Sequence, residues 1–392
     1  MGQTRRALAI ASIAAAGFVG LQLLTGSAAA QNSTKVIKIG ALLATSGAGS
    51  YQGAQQKEGA ELAIELLNKT GVNGYKFQLH HEDSACGPLP ATQAGKRLIE
   101  TVKPDVIIGE SCSDGTLAVM PLVQQAQIPL INASASSLKI TEPGNPWTFR
   151  ILPHAQMQSE NFSNHVYEKL GARTAVLLFE NTNAGIDTID SFEKAFVAKG
   201  GKILAKIGFG RDVNDFTAIA TRLAGLGPID IIPTASLEGQ GVKIAQALAQ
   251  AGVTKAGGGK AIQLSNIWLP AGFDEKAGKA ATGFIRIVQF DHLEQRKPVQ
   301  DFLASYRAKF GADKTPSHLQ AQGYDQVMLV ADTVRRGATD AKSIRDKLLE
   351  TKNLEGATGH VVFDGKHQNS SVDTMHYVET TADLNWKSLN WN

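Results

Sequence analysis

The feature that most limits how this chain can fold is a regular alternation of short apolar runs with longer amphipathic stretches. Val36 to Leu43 (VIKIGALL) is β-branched and apolar, and reads as a strand. Between Gly53 and Asn68, Ala60, Ala63, Ile64 and Leu67 fall at i, i+3, i+4 and i+7, the spacing of one helix face. Gly71-Val72-Asn73-Gly74 is turn chemistry, and Tyr75 to His81 alternates as a second strand. The pattern continues with helices at 90–101 and 115–126 and strands at 105–109 and 128–132. A second series starts near Pro153, with helices at 155–170, 187–199, 214–225 and 239–251 and strands at 174–179, 202–207, 229–233 and 261–264. Two such series predict an α/β protein with two doubly wound parallel sheets, each covered by helices on both faces. Helices near 299–310, 317–336 and 340–349 and strands near 359–363 and 374–379 can complete either domain. A length of 392 residues is ample for two cores.

The first thirty residues stand outside this pattern. Arg5 and Arg6 precede an apolar stretch from Ala7 to Leu24, and Ala28-Ala29-Ala30 supplies small residues at the end. Positive, apolar and small-residue regions in that order predict a secretory signal peptide, 1–30, cleaved after Ala30. An uncleaved anchor is the alternative, since 18 apolar residues only just reach spanning length. Of 39 Lys and Arg and 36 Asp and Glu, cleavage removes two basic residues and leaves 37 against 36. A near-neutral exported chain gives no reason to expect a nucleic-acid partner.

Export makes the cysteines informative. Cys86 and Cys112 are the only two, and in an oxidising compartment a disulfide is the simplest reading. It would close a loop of about 26 residues, worth about 3.5 kcal/mol on the chain-entropy account. Two separate buried thiols remain open as the alternative.

Ligands of open parallel sheets bind beyond the carboxyl ends of the strands. In the first series those ends carry Thr45-Ser46-Gly47, Ser111-Cys112-Ser113-Asp114-Gly115 and Ala133-Ser134-Ala135-Ser136-Ser137. Short hydroxyl residues at helix starts allow an anion close to free N–H groups and the positive end of the helix dipole. The same residues also serve simply as N-caps. One such turn reads as a cap; three on one edge put a carboxylate site on a par with simple capping.

Other motifs fail on inspection. Gly47-x-Gly49-x-x-x-Gly53 is one residue too long for a dinucleotide fingerprint, and Glu82 and Asp83 lie too far on. Lys255 to Ala261 lacks the leading Gly and the trailing Ser/Thr of a P-loop. His80-His81-Glu82-Asp83 alternates between strand faces and does not converge on one ion. Neither a cofactor nor a metal is expected, and no hydrolase motif supplies a nucleophile and base.

Several ordered segments resemble a known family. IKIGALLATSGAGSYQGAQQKEGAELAIELLN, GVNG, HHEDSACGP, GESCSDGT, PLINASASS and TEPGNPWTFR are similar to the branched-chain amino-acid-binding proteins. These are type I periplasmic binding proteins that deliver solutes to ABC importers. The likeness continues more loosely through FENTNAGIDTIDSFEKAF, RDVNDFTAIATRL, YRAKFG and ATGHVVFD. It implies the Cys86–Cys112 pairing, a ligand carboxylate held by Ser113 and the turn Ser134-Ala135-Ser136, and Tyr51 and Gln52 at the cleft mouth. It also implies three hinge strands, with one lobe from 34–153 plus 292–366 and the other from 154–291 plus 367–392. The second lobe departs from the pattern. Ala184 stands where members carry a tyrosine, and Ser265-Asn266 where an acid meets the ligand's ammonium group. Glu238 is a substitute candidate for that acid, or else an exposed acid opening a helix.

The expected function is a periplasmic solute receptor for an amino acid or related carboxylate, monomeric, closing around its ligand for an ABC permease. The same fold binding an aromatic acid or an amide or urea is the alternative, followed by a sensory receptor and then an exported enzyme.

Overall fold

The computed structural model describes residues 35–141, 144–265, 272–363, 365–371 and 375–391. The expected signal peptide and Asn266 therefore lie outside the described residues. Chain order begins with β1 (Lys35–Leu43), α1 (Ser50–Thr70), β2 (Tyr75–Asp83), α2 (Pro88–Arg97), β3 (Val106–Gly109), α3 (Ser113–Ala126), β4 (Leu130–Asn132) and β5 (Thr148–Arg150). These strands form one sheet in the order β2-β1-β3-β4-β5, parallel throughout. Next come α4 (Ala155–Lys169), β6 (Thr174–Glu180), α5 (Asn183–Ala198), β7 (Lys202–Phe209), α6 (Thr217–Ala224), β8 (Ile231–Ala235), α7 (Glu238–Gln250), β9 (Ile262–Ser265), α8 (Gly272–Ala277) and β10 (Ile285–Val288). After α9 (Lys297–Phe310), α10 (His318–Arg335) and α11 (Ala341–Leu349), a small hairpin of β11 (Leu354–Gly356) and β12 (Gly359–Val361) precedes β13 (His376–Thr380) and β14 (Trp386–Leu389). The second sheet runs β14-β13-β10-β9-β8-β6-β7.

Side-chain alternation explains how each sheet is covered. In β1, Ile37, Ile39, Ala41 and Leu43 face α1 (Ala60, Ala63, Leu67) and α10 (Val327, Val330, Val334). Leu42 points the other way, with Ile107 and Leu130, onto α2 and α3. The second sheet repeats this, with α4 and α5 on one face and α6 and α7 on the other. Strands buried on both faces read as unbroken apolar runs, which is why they were visible in the sequence. The two antiparallel strands, β13 and β14, sit at the edge of an otherwise parallel sheet, a departure from the all-parallel expectation.

The chain passes between the sheets three times: after β5, after β10 and after β12. The first and third passages run side by side. Arg150 N–H donates to the His367 carbonyl, Asn369 N–H donates to the Arg150 carbonyl, and the Asn369 amide donates to the Ile151 carbonyl. Helix α10 is fastened to the first lobe through glycines. A Cβ on Gly59 would lie 1.9 Å from the Gln320 carbonyl oxygen, and one on Gly323 1.9 Å from that of Gln56. Only glycine lets α1 and α10 approach this closely, and the approach brings Leu319 and Gln322 to the edge between the lobes.

Candidate ligand-binding cleft

The site grows out of the loops at the carboxyl ends of the strands. Asn132, the last residue of β4 and fully buried, shapes the turn that follows. Its Oδ1 accepts the N–H groups of Ser134 (3.0 Å) and Ala135 (2.8 Å), while its amide donates to the Glu110 carbonyl (2.7 Å). Arg150, also fully buried, holds the same turn from the hinge side by donating to the carbonyls of Ala135 (3.1 Å) and Ser137 (2.6 Å). Ser134 Oγ donates to the Ser111 carbonyl (2.9 Å), which also accepts from the Gln52 amide (3.0 Å).

Ser113 opens α3 directly after Cys112, the N-cap. Its Oγ accepts the Ser137 N–H at 3.2 Å, and among the described residues its own O–H has no acceptor. A hydroxyl has one proton to donate and two lone pairs to accept with. Ser113 thus keeps a donor at a helix N-terminus whose first N–H groups lack intrahelical partners.

Cys86 and Cys112 form a disulfide with Cα atoms 5.3 Å apart, settling the alternative left open above. Beneath it lies Glu110, fully buried, accepting from the Ser84 hydroxyl and from the Cys112 N–H (2.8 Å). Burial pushes its carboxyl up to about 7, against the opposing effect of these donors.

A cavity of about 40 Å³ lies against this wall, lined on the first lobe by Gln52, Ser111, Ser113, Asp114, Ser134 and Ala135. Glu180, Thr182, Ala184, Arg211 and Leu237 face it from the second lobe, and Leu319 and Gln322 from α10. A larger space of about 340 Å³ lies at the mouth and shares Gln52, Leu237 and Leu319 with the cavity.

Of the residues singled out in the sequence, Ser113, Ser134, Ala135, Gln52 and Ala184 line the cavity. Ser136 is fully buried and does not line it. Tyr51 and Glu238 line the mouth, where Glu238 pairs with Lys276 at 2.6 Å and the Lys276 ammonium sits 4.5 Å from the Tyr51 ring centre. Among the described residues no cluster of His, Cys, Asp or Glu suits a metal ion.

Three charged residues of the cavity were not singled out: Asp114, Glu180 and Arg211. Glu180 ends β6, so the rule about strand ends would have found it had it been applied to the second series. Burial raises its carboxyl pKa, opposed by Arg211. Arg211, Leu319 and Gln322 carry no local signal, because distant segments bring them to the cleft.

The sequence matches the family described as Periplasmic binding protein over residues 36–383. It is 25% identical over 381 residues to the leucine-, isoleucine-, valine-, threonine- and alanine-binding protein of Pseudomonas aeruginosa, covering 96% of each chain. It also spans about half (49%) of an amino acid binding protein of the same organism, at 26% identity over 182 residues, 46% of this chain. Among solved structures, the branched-chain amino acid transporter substrate binding protein of Streptococcus pneumoniae, in complex with isoleucine, superposes with a TM-score of 0.82 at 26% identity, covering 91% of this chain and 99% of that one. A solute binding protein of an ABC transporter from Rhodopseudomonas palustris, in complex with 3,4-dihydroxybenzoic acid, shares the fold with a TM-score of 0.79 at 23% identity, covering 90% and 96%. With two α/β lobes around a closed cavity and a match over most of its length, the chain belongs to the periplasmic binding protein family.

Proposed function

We propose that this chain is the periplasmic substrate-binding protein of an ABC importer, capturing a small carboxylated solute and presenting it to a membrane permease. The observation that carries the ligand class is Ser113: a hydroxyl with a proton to give, at the start of α3, facing the cleft cavity. A carboxylate there meets a charge-assisted hydrogen bond and the positive end of the helix dipole. Ser134 and Ala135 complete the wall, their N–H groups being held by Asn132 in the closed form. The lobes are taken as 34–153 with 292–366 and 154–291 with 367–392, acting as a monomer after cleavage at Ala30.

An amino acid of the branched-chain type is the first reading, in keeping with the names of the relatives. Its ammonium group would face Glu180 and Asp114, the two carboxylates of the cavity. Glu238 sits at the mouth and serves there as a rim residue with Tyr51. An aromatic carboxylate is the second reading, supported by the alanine at 184 and by the dihydroxybenzoate held in the Rhodopseudomonas structure. Solute docks on the serine wall of the open form, and closure of the second lobe buries it, shifting the population toward the form a permease recognises.

Calorimetric titration with leucine, isoleucine, benzoate and 3,4-dihydroxybenzoate tests the reading. At least one should bind with a Kd of about 1 μM or tighter. Binding by none of them would remove the carboxylate reading.

A further inference from the structure

We propose that Arg211 is the residue that positions the second lobe on the first, and that the Cys86–Cys112 disulfide exists to hold its landing points at a fixed spacing. Arg211 follows β7 in the second lobe, and all three guanidinium nitrogens donate. Nε donates to Glu180 Oε1 (2.5 Å) in its own lobe; Nη1 donates to the Cys86 carbonyl (2.6 Å) and Nη2 to Asp114 Oδ2 (3.3 Å), both in the first. The side chain of Glu180 is 1% exposed and belongs to the same lobe as Arg211, so within that lobe it holds the guanidinium in the direction of the first. A planar fork with fixed donor directions suits such a three-way contact, which a lysine could not reproduce.

The two landing points come from separate stretches. Cys86 lies between β2 and α2, and Asp114 lies in the first turn of α3, two residues beyond Cys112. The disulfide is the covalent link between those stretches. Ala85 and Cys86 hold φ values of +46° and +59°, an uncommon conformation for residues with a Cβ. Asp114 also accepts the amide (2.7 Å) and backbone N–H (3.3 Å) of Asn183, so α5 lands on the same carboxylate. Asp114 neighbours Ser113 and would oppose a bound anion; Arg211 offsets that charge only when the lobes are closed. A second set of contacts lands outside the two disulfide-linked stretches: Asp187 accepts from Ser137 Oγ (2.5 Å) and from the Leu138 N–H (3.0 Å). These give the control.

The inference concerns closure and stands whatever the ligand, so it is tested without one. The measurement is small-angle X-ray scattering of the ligand-free mature protein, analysed as a mixture of open and closed forms, with circular dichroism confirming that each variant is folded. Arg211→Gln should lower the closed-to-open ratio by about tenfold or more. Raising salt from about 0.1 M to 1 M, which shortens the Debye length from about 10 Å to about 3 Å, should lower the ratio in the native protein and not in Arg211→Gln. In the Cys86→Ser/Cys112→Ser protein, Arg211→Gln should change the ratio by less than about threefold, while Asp187→Asn keeps its full effect. If the double serine variant does not fold, the same cycle is run on native protein reduced in place. An unchanged ratio for Arg211→Gln overturns the positioning role, and an equal effect with and without the disulfide overturns the link to it.

Discussion

Each wall of the cleft buries one carboxylate, burial raises the pKa of both, and the two differ in whether a cation touches them. Glu110, behind the first lobe's wall, is hydrogen-bonded by neutral donors, among them the Ser84 hydroxyl and the Cys112 N–H, and burial pushes it up to about 7 against their effect and the weaker field of Arg211. Glu180, in the second lobe, has the Arg211 guanidinium at 2.5 Å, which opposes the effect of its burial. Burial favours the protonated form of both, and the guanidinium in contact with Glu180 favours the charged form that a salt bridge needs. The first lobe's acid is thus part of a fixed wall, and the second lobe's acid is part of a contact made on closing.

The largest effect that would break this contrast is expected at Glu110. Its folded pKa is raised above the ordinary carboxyl value of 4.5, so its stabilising proton is fully bound below 4.5 and lost as pH rises through about 7. Glu110→Gln should flatten the stability profile across that window, by up to about 3 kcal/mol at the alkaline end. The amide can donate to Ser84 while its oxygen accepts from Cys112, so the wall should keep its shape. Chemical denaturation at a series of pH values reads this directly, and an unchanged slope would mean that Glu110 is ionised in the folded protein.

Ser113→Ala comes next. Hydrogen bonds to charged groups are worth about 1.5–3 kcal/mol, so carboxylate affinity should fall about 10- to 100-fold by calorimetry, while loss of the acceptor for the buried Ser137 N–H should lower stability by about 1–3 kcal/mol and leave the protein folded. Undiminished affinity would move the carboxylate away from the first lobe.

The smallest effect is expected at the second lobe's rim. The partner of Glu238, Lys276, is 53% exposed, and such pairs contribute about 0–1 kcal/mol. Glu238→Gln should therefore change affinity by no more than about fivefold. A larger loss for amino acids, with none for aromatic acids, would return Glu238 to the ammonium group.

The same contrast marks what was legible beforehand. Parallel strands buried on both faces announce themselves as apolar runs, and the helices between them keep their period. β5 and β10 were missed because each carries an arginine, Arg150 and Arg286, that interrupts the apolar run by which the equally short β3, β4 and β9 were read and that proves buried, and β14 because its exposed pattern carries little apolar signal. In the cleft, the rule about strand ends marked the hydroxyl-rich turns 111–115 and 133–137, and the family resemblance singled out Ser113, Ser134 and Ala135 within them. Glu180 obeys that rule too, but a lone acid after a strand reads as solvent-exposed until its burial is seen. Arg150, Arg211 and Gln322 act through partners far away in sequence, and no local pattern marks such residues.

The central claim is that the first lobe's wall recognises a carboxylate, and matched ligands test it most directly. Titration of the native protein with a bound acid and with its primary amide, leucine against leucinamide or benzoate against benzamide, isolates the charge while keeping the shape. The account predicts that the acid binds at least about 100-fold more tightly, the amide having lost the charge that Ser113 and the start of α3 stabilise. Equal affinity for acid and amide would contradict it.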